Sequence, residues 1–183
     1  MPNHILPLPR IAPPGGWQTA SMPSSPTTRA LALAGSVGSV TGTAAAGAVM
    51  TTRHIGWYRS LSKPRWFPNE LALAPTWSLV YAGQAVAAWL FWRAGDDRDE
   101  LDVPALSSYA ASLGLSLAWA LSFFGFRRLS VSLVVSCALW LAVATTVREF
   151  ARRHRFAAAL LLPYLAWVSV ATALNLTLWW RNR

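Results

Sequence analysis

Charge is missing from five long stretches of this chain. The 16 basic and 7 acidic residues all lie outside residues 30–52, 71–92, 103–126, 129–147 and 156–180. Each stretch has about 19 to 25 residues, the length that an α-helix needs to cross roughly 30 Å of hydrocarbon. One charge at the centre of such a helix costs about 3 kcal/mol, and a soluble bundle would need charged faces at helical period. The absence excludes a soluble bundle and predicts an all-α fold, an integral membrane bundle of five transmembrane helices.

The amino-terminal tail has no acidic residue. Residues 1–29 contain seven prolines and several Ser and Thr residues, a composition that does not build a core. We expect a disordered tail over 1–29 and one transmembrane domain over 30–183. An acid-poor start with Arg and Ser loosely resembles an organelle transit peptide, and a plain cytosolic or periplasmic tail fits at least as well.

The net charge of +9 does not indicate nucleic-acid binding, because the basic residues cluster at the ends of the uncharged runs. Arg127 and Arg128 stand between two runs, and Arg152, Arg153 and Arg155 between two others. Basic side chains at these positions meet lipid headgroups. The partner they predict is a lipid bilayer. Basic residues are equally numerous in the two sets of alternate connecting segments, so the orientation and the host membrane stay open.

Groups for ordinary catalysis are also scarce. The chain has one cysteine, Cys137, and three histidines, His4, His54 and His154, with no spacing that suits a metal site. No nucleophile, base and acid occur as a set. We therefore expect no required metal or cofactor and no catalytic residue of the acid–base kind. His54 stands at a membrane edge, where a hydrated side chain or a ligand to an iron porphyrin are the alternatives.

Small residues recur every four positions in two of the runs. They are Ala34, Gly38, Gly42 and Ala46 in the first run, and Ala110, Gly114 and Ala118, with a second set of Ser112, Ser116 and Ala120, in the third. Such stripes let helix backbones approach closely. The face with Ala110, Gly114 and Ala118 is the predicted homodimer interface, and tight packing within one protomer is the open alternative.

Tryptophan is unusually frequent for this rare residue type, with 11 copies. Trp89, Trp92, Trp179 and Trp180 lie near run ends, where indoles anchor helices in the interface. Trp77, Trp119 and Trp167 lie deeper, and Tyr81 and Phe123 each follow one of them by a single helical turn. Asn175 lies on nearly the same face of the fifth run as Trp167, and its amide needs a partner on another helix or on a ligand. These residues predict either a pocket for a flat apolar molecule or plain aromatic packing.

The connection between the first two runs is crowded with rings and prolines. Its sequence is "WYRSLSKPRWFP", residues 57–68, and "PTWSLVYAGQAVAAWLFW" follows. Together with "SLAWALSFFGFRR", "VATTV" and "LLPYLAWVSVATALNLTLWW", these segments resemble the translocator protein family, also called tryptophan-rich sensory proteins or peripheral benzodiazepine receptors. The resemblance covers about residues 53–181.

The resemblance implies a five-helix membrane bundle, often a homodimer, with an ordered first loop as a lid over a ligand pocket. Porphyrins such as protoporphyrin or heme, sterols and synthetic ligands are what such a pocket binds. The lid residues carried over are Trp57, Tyr58, Lys63, Pro64 and Trp66. The wall residues are Trp77, Tyr81, Ser116, Trp119, Phe123, Phe124, Trp167, Leu174 and Asn175. Lys63 or Arg65 is expected to attract porphyrin propionates.

Some positions depart from the family pattern. Asn69 and Leu71 replace a proline and a tryptophan, Ser116 replaces an asparagine, and Leu176 replaces the tyrosine of a weak sterol motif. The last departure lowers the expectation of specific cholesterol binding.

The leading hypothesis is a membrane receptor or carrier that binds tetrapyrroles and related flat apolar ligands, linked to porphyrin handling or stress signalling. The first alternative is an enzyme that degrades porphyrin with light and oxygen, with Trp57 and Trp66 as reacting or guiding groups. A structural partner protein, recruiting others through its small-residue faces, is a further alternative.

Overall fold

The described part of the chain is helical. The computed structural model describes residues 35, 38, 40–45, 47–49, 52–64, 70–94 and 102–182, and these contain no strand. The helices are α1 (Ile55–Ser60), α2 (Glu70–Arg93), α3 (Asp102–Ala120), α4 (Leu129–Arg153) and α5 (Arg155–Arg181). The predicted tail over 1–29 lies outside the described residues, so the division of the chain at residue 30 stays a prediction.

Among the described residues, three helical stretches are long and apolar enough to cross a membrane: Val103–Gly125, Leu129–Arg153 and Arg155–Arg181. The second uncharged run lies within α2, which has 24 residues. The first run is described in part, and residues 40–45 and 47–49 are helical. The predicted all-α fold with several membrane-length apolar helices is confirmed, and the count of five crossings stays a prediction.

The helices pack in the order α3, α4, α5 and α2. Gly83 on α2 permits one close approach, because a Cβ at this position would lie 3.1 Å from the backbone oxygen of Leu160 on α5. Between α2 and α3 the contacts run through side chains, including the ring pair of Trp77 and Trp119. The interval between α2 and α3 is therefore filled by aromatic groups rather than by closely packed backbones.

A group of aromatic rings lies at the end of the bundle away from α1. The rings of Phe91 on α2 and Phe150 on α4 stack with centroids 4.3 Å apart, and Tyr109 on α3 stacks on Phe150 at 6.0 Å. Val40 from the first run joins this buried cluster. The first apolar run therefore contacts the same core as the later helices.

A wider helical turn ends α3. Residues Leu121–Gly125 form a π-helical turn, in which the Phe126 backbone N–H donates to the Leu121 oxygen at 2.8 Å. Arg127 then takes a positive φ of 57°, a conformation that reverses the chain and is uncommon for residues other than glycine. This turn starts α4 antiparallel to α3, as the short connection at residues 127–128 predicts.

The fourth helix is longer than the uncharged run predicts. The run ends at residue 147, whereas α4 continues to Arg153 and only His154 separates it from α5. Charge limits the part of a helix that lipid accepts, but it does not end the helix. Arg152 pairs with Glu149 at 2.8 Å within the last turns, and His154 Nδ1 accepts from the Ala157 N–H at 3.0 Å to cap α5.

Candidate ligand site

Three helices bring their deep tryptophans together around Trp77. Its ring lies 6.1 Å from that of Trp119 on α3 and meets that of Trp167 on α5 edge to face at 5.9 Å. On α2 itself, Tyr81 stacks on Trp77 at 5.6 Å. The helical spacing of these residues places the rings on facing surfaces, so they point into the bundle rather than toward lipid.

The lid helix α1 extends this ring cluster outward. Trp57 meets Phe123 edge to face at 5.6 Å, and Tyr58, only 3% exposed, lies 5.9 Å from Phe124. Trp119 stacks on Phe123 at 5.1 Å. Rings therefore follow one another without interruption from the first loop to the middle of the bundle.

The π-helical turn explains how two consecutive phenylalanines both face inward. In a regular α-helix, neighbouring residues are about 100° apart around the axis. The wider turn at Leu121–Gly125 brings Phe123 and Phe124 into the same core, where they are 2% and 7% exposed. Turns of this kind are frequent at functional sites. The sequence pattern does not mark this one.

The end of α5 holds the lid by its backbone. The Ser62 N–H donates to Asn182 Oδ1 at 3.1 Å, and Arg181 Nη1 donates to the Lys63 backbone oxygen at 3.2 Å. Both contacts join residues far apart in sequence, so periodicity could not have predicted them. They join the two residues Ser62 and Lys63, which follow α1, to the carboxyl end of α5.

Lys63 and Pro64 lie at the edge of the lid. The Lys63 ammonium is 4.1 Å from the centroid of the Tyr58 ring, a cation–π distance, and Pro64 is buried. Trp66 and Arg65, which were also predicted to contribute, lie outside the described residues.

Two indole N–H groups inside the cluster have no partner among the described residues. They are Nε1 of Trp119 and Nε1 of Trp167, and both atoms are buried. Both rings contact the ring of Trp77. A ligand with hydrogen-bond acceptors at its edge could satisfy them, because buried donors in proteins are usually paired.

The polar wall residues are bonded between helices. Asn175 exchanges hydrogen bonds with Ser132 on α4, through Oδ1 at 3.2 Å and Nδ2 at 3.1 Å. Of the two partners considered for this amide, the structure provides the helix. Ser116 bonds Tyr164 on α5 by their hydroxyl groups. Leu174 packs against the cluster of Tyr58, Phe123 and Phe124. Tyr164, one turn before Trp167, was missed by the sequence reasoning, although this spacing could have indicated it.

The two small-residue faces of α3 have different surroundings. Ser112, Ser116 and Ala120 are buried within the protomer, whereas Ala110 and Gly114 are exposed and Ala118 is half-buried. Cys137 is exposed on α4. Among the described residues, no group of three or more His, Cys, Asp or Glu side chains could hold a metal ion.

The fold and the ring cluster define an integral, multi-pass membrane protein with a tryptophan-rich helical core. Comparison with known proteins identifies it further: the chain belongs to the TspO/MBR family, whose sequence profile matches residues 30–181. The predicted resemblance is confirmed.

The relatives include animal and bacterial proteins. The chain is 36% identical over 128 residues to the translocator protein of Sus scrofa, which covers 69% of this chain and 75% of that protein. It is 35% identical over 136 residues to the tryptophan-rich sensory protein of Cereibacter sphaeroides, covering 72% and 83%. The tryptophan-rich protein TspO of Chlorobaculum tepidum is 34% identical over 134 residues, covering 73% and 84%.

Proposed function

We propose that this protein is a membrane receptor or carrier that binds tetrapyrroles, such as protoporphyrin or heme, and related flat apolar molecules such as sterols. The binding site is the ring cluster between α2, α3 and α5, beneath the lid helix α1. The activity serves porphyrin handling or a stress response. No metal or other cofactor is required, and a heme would be a ligand.

The observation that carries this proposal is the meeting of Trp77, Trp119 and Trp167 from three helices. Flat π-faces accept a flat ligand by stacking, and the two unpaired indole N–H groups offer donors to its polar edge. Packing accounts for the ring contacts and leaves the two buried indole N–H groups without a partner among the described residues. These two donors favour a ligand in the cluster over packing alone.

The lid supports ligand entry from the membrane surface. Lys63 holds a positive charge beside the Tyr58 ring, next to the point where Arg181 contacts the lid backbone. Two cations at one rim attract the propionates of a porphyrin. The apolar macrocycle then enters the cluster beside Trp57 and Phe123, whose contacting rings separate to admit it.

A titration with protoporphyrin tests the proposal. Tryptophan fluorescence of the purified protein in lipid nanodiscs should be quenched saturably, because the porphyrin absorbs indole emission over distances that span the bundle. The Trp77→Ala, Trp167→Ala double variant should lose the saturable part. Its remaining tryptophans would still report any bound porphyrin.

Trp92→Ala is the matched control, because Trp92 is on α2 and is 40% exposed. It should retain saturable quenching. If the double alanine variant does not fold, the affinity for protoporphyrin is measured on Trp77→Phe and Trp167→Phe, which keep a ring. Unchanged affinity in all the pocket variants would refute the site.

The enzymatic alternative is tested on the same samples. Trp57 lies half-buried against Phe123, where it would touch a porphyrin beneath the lid. Illumination in air should then degrade bound porphyrin faster than porphyrin in detergent. A Trp57→Phe variant that keeps its affinity and loses this degradation would favour the enzyme. Equal rates would favour the receptor or carrier.

We also propose that the protein is a homodimer joined along the exposed small-residue face of α3. Ala110 and Gly114 are exposed, and a Cβ on Gly114 would meet no atom within 4 Å. This surface is flat enough for a second helix backbone to approach closely.

A further inference from the structure

A carboxamide lies buried in the bundle without a hydrogen-bond partner among the described residues. Gln84 on α2 is 1% exposed. Its Oε1 and its Nε2 are both buried, and neither has a hydrogen-bond partner among the described residues. An amide left unpaired in an apolar interior is unfavourable, and buried polar groups are normally satisfied by protein, water or ligand. Gln84 therefore requires a partner that the described part of the chain does not supply.

The position of Gln84 ties it to the ring cluster. Trp77, Tyr81 and Gln84 occupy positions i, i+4 and i+7 of α2, so they share one face of the helix. At 1.5 Å per residue, the carboxamide lies about 10 Å further along the helix axis than Trp77. It stands at the inner end of the same site, on the side away from the lid.

The groups near Gln84 come from α3 and from the first apolar run. α2 and α3 meet here through side chains, and the Tyr109 hydroxyl of α3 lies 3.5 Å from the Gln84 backbone oxygen. The first apolar run lies close to α2 near Tyr81, because a Cβ on Gly47 would lie 3.9 Å from the Tyr81 hydroxyl.

A primary carboxamide has a carbonyl acceptor and two N–H donors, and one of these N–H groups lies side by side with the carbonyl oxygen. Its best complement is a lactam edge, in which an N–H stands next to a C=O, because the two groups form paired hydrogen bonds. We propose that Gln84 is the inner, hydrogen-bonding end of the ligand site and selects flat apolar ligands that carry a lactam-type edge. This inference rests on the proposed function of the ring cluster.

Two tricyclic probes test the selection. Phenanthridinone is flat and carries a lactam edge, and N-methylphenanthridinone has nearly the same shape without the N–H. The unmodified protein should bind phenanthridinone about tenfold to a hundredfold more tightly, because the methylated probe leaves the Gln84 oxygen unpaired. Gln84→Met, which has similar length and no polar group, should reduce this ratio to near one.

The stability of the variants distinguishes a ligand-binding role from a structural one. Gln84→Met removes an unpaired polar group, so its melting temperature in nanodiscs without ligand should equal or exceed that of the unmodified protein. Phenanthridinone should raise the melting temperature of the unmodified protein clearly more than that of Gln84→Met, which keeps the ring contacts and loses the paired hydrogen bonds. Gln84→Asn, which retains the carboxamide, should keep part of the discrimination.

Equal affinities of the unmodified protein for the two probes, or binding of neither, would overturn the inference. A Gln84→Met variant that keeps the full ratio of the two probe affinities would also overturn it. If the melting temperature of that variant falls as well, Gln84 has a folding role with buried water. Protoporphyrin titrations on the same samples separate the claims. Retained saturable quenching with equal probe affinities refutes only the role of Gln84, whereas absent quenching in the unmodified protein refutes the proposed function.

Discussion

The indole of Trp77 on α2 meets the indole of Trp167 on α5 edge to face, with the ring planes at 85° and the centroids 5.9 Å apart. Trp77 also contacts Trp119 and Tyr81, so a single ring joins three helices of the bundle. In a bilayer these ring contacts stabilise the bundle by van der Waals packing and not by the hydrophobic effect, since lipid chains are as apolar as the rings.

Replacing Trp77 by alanine should therefore destabilise the protein. Each aromatic pair contributes about 0.5–1.5 kcal/mol, and the loss of three pairs should lower the free energy of unfolding by about 2–4 kcal/mol. Steric-trap unfolding in bicelles measures this quantity. Trp92→Ala, at an exposed position of the same helix, should cost clearly less. Equal losses would show that the ring cluster adds no stability.

Loosening the lid should accelerate its opening. Asn182→Ala removes the acceptor for the Ser62 N–H, a hydrogen bond of about 0.5–1.5 kcal/mol. Exchange of the Ser62 amide hydrogen should become severalfold to about tenfold faster, because 1.4 kcal/mol corresponds to a factor of ten. Protoporphyrin should also dissociate faster.

Ser62→Ala is the matched control for the lid, because it retains the backbone N–H that bonds Asn182. It should leave both rates nearly unchanged. An Asn182→Ala protein with an unaltered exchange rate would show that this bond does not hold the lid.

Breaking the pair of Ser132 and Asn175 should expose the cost of an unpaired amide inside the bundle. Ser132→Ala leaves the Asn175 side chain without this partner and should destabilise the protein by about 1–2 kcal/mol. Adding Asn175→Leu should cost less than the two single changes together. A double-mutant cycle measures the coupling, and a coupling near zero would contradict the observed pair.

A bulky side chain on the exposed face of α3 should separate the homodimer. Gly114→Leu adds volume where the protomer has open space, so the single chain should still fold. Sedimentation in detergent should then report a monomer. Ala166→Leu, at an exposed position of α5, should remain dimeric. A dimeric Gly114→Leu protein would place the interface elsewhere.

Helix locations follow closely from the absence of charge, because the cost of a charge in lipid applies to every crossing segment. The second, third and fifth runs agree with their helices within about one residue at each end, counting the π-helical turn with α3. The end of α4 could not be predicted this way, since the helix continues through the charged residues Arg148 and Glu149 to Arg153. The π-helical turn at Leu121–Gly125 depends on tertiary packing and leaves no periodic signal.

The candidate site was predictable in its rings and not in its polar contacts. Trp77 shares a helix face with Tyr81, and Trp119 shares one with Phe123, and spacing alone identifies both pairs. The partner of Asn175, the role of Tyr164 and the tether at Asn182 depend on how helices are juxtaposed, which one sequence without long-range information does not determine. Gln84 carried a usable signal, seven residues after Trp77 on the same face.

The most direct test of ligand binding among the deep tryptophans is ¹⁹F NMR of protein labelled with 5-fluorotryptophan, with and without protoporphyrin. Resonances of Trp77, Trp119 and Trp167, assigned by single substitutions to phenylalanine, should shift or broaden at stoichiometric ligand. Those of the exposed Trp92, Trp140 and Trp180 should move little. Shifts confined to the exposed set, with the three deep resonances unmoved, would contradict a ligand site inside the bundle.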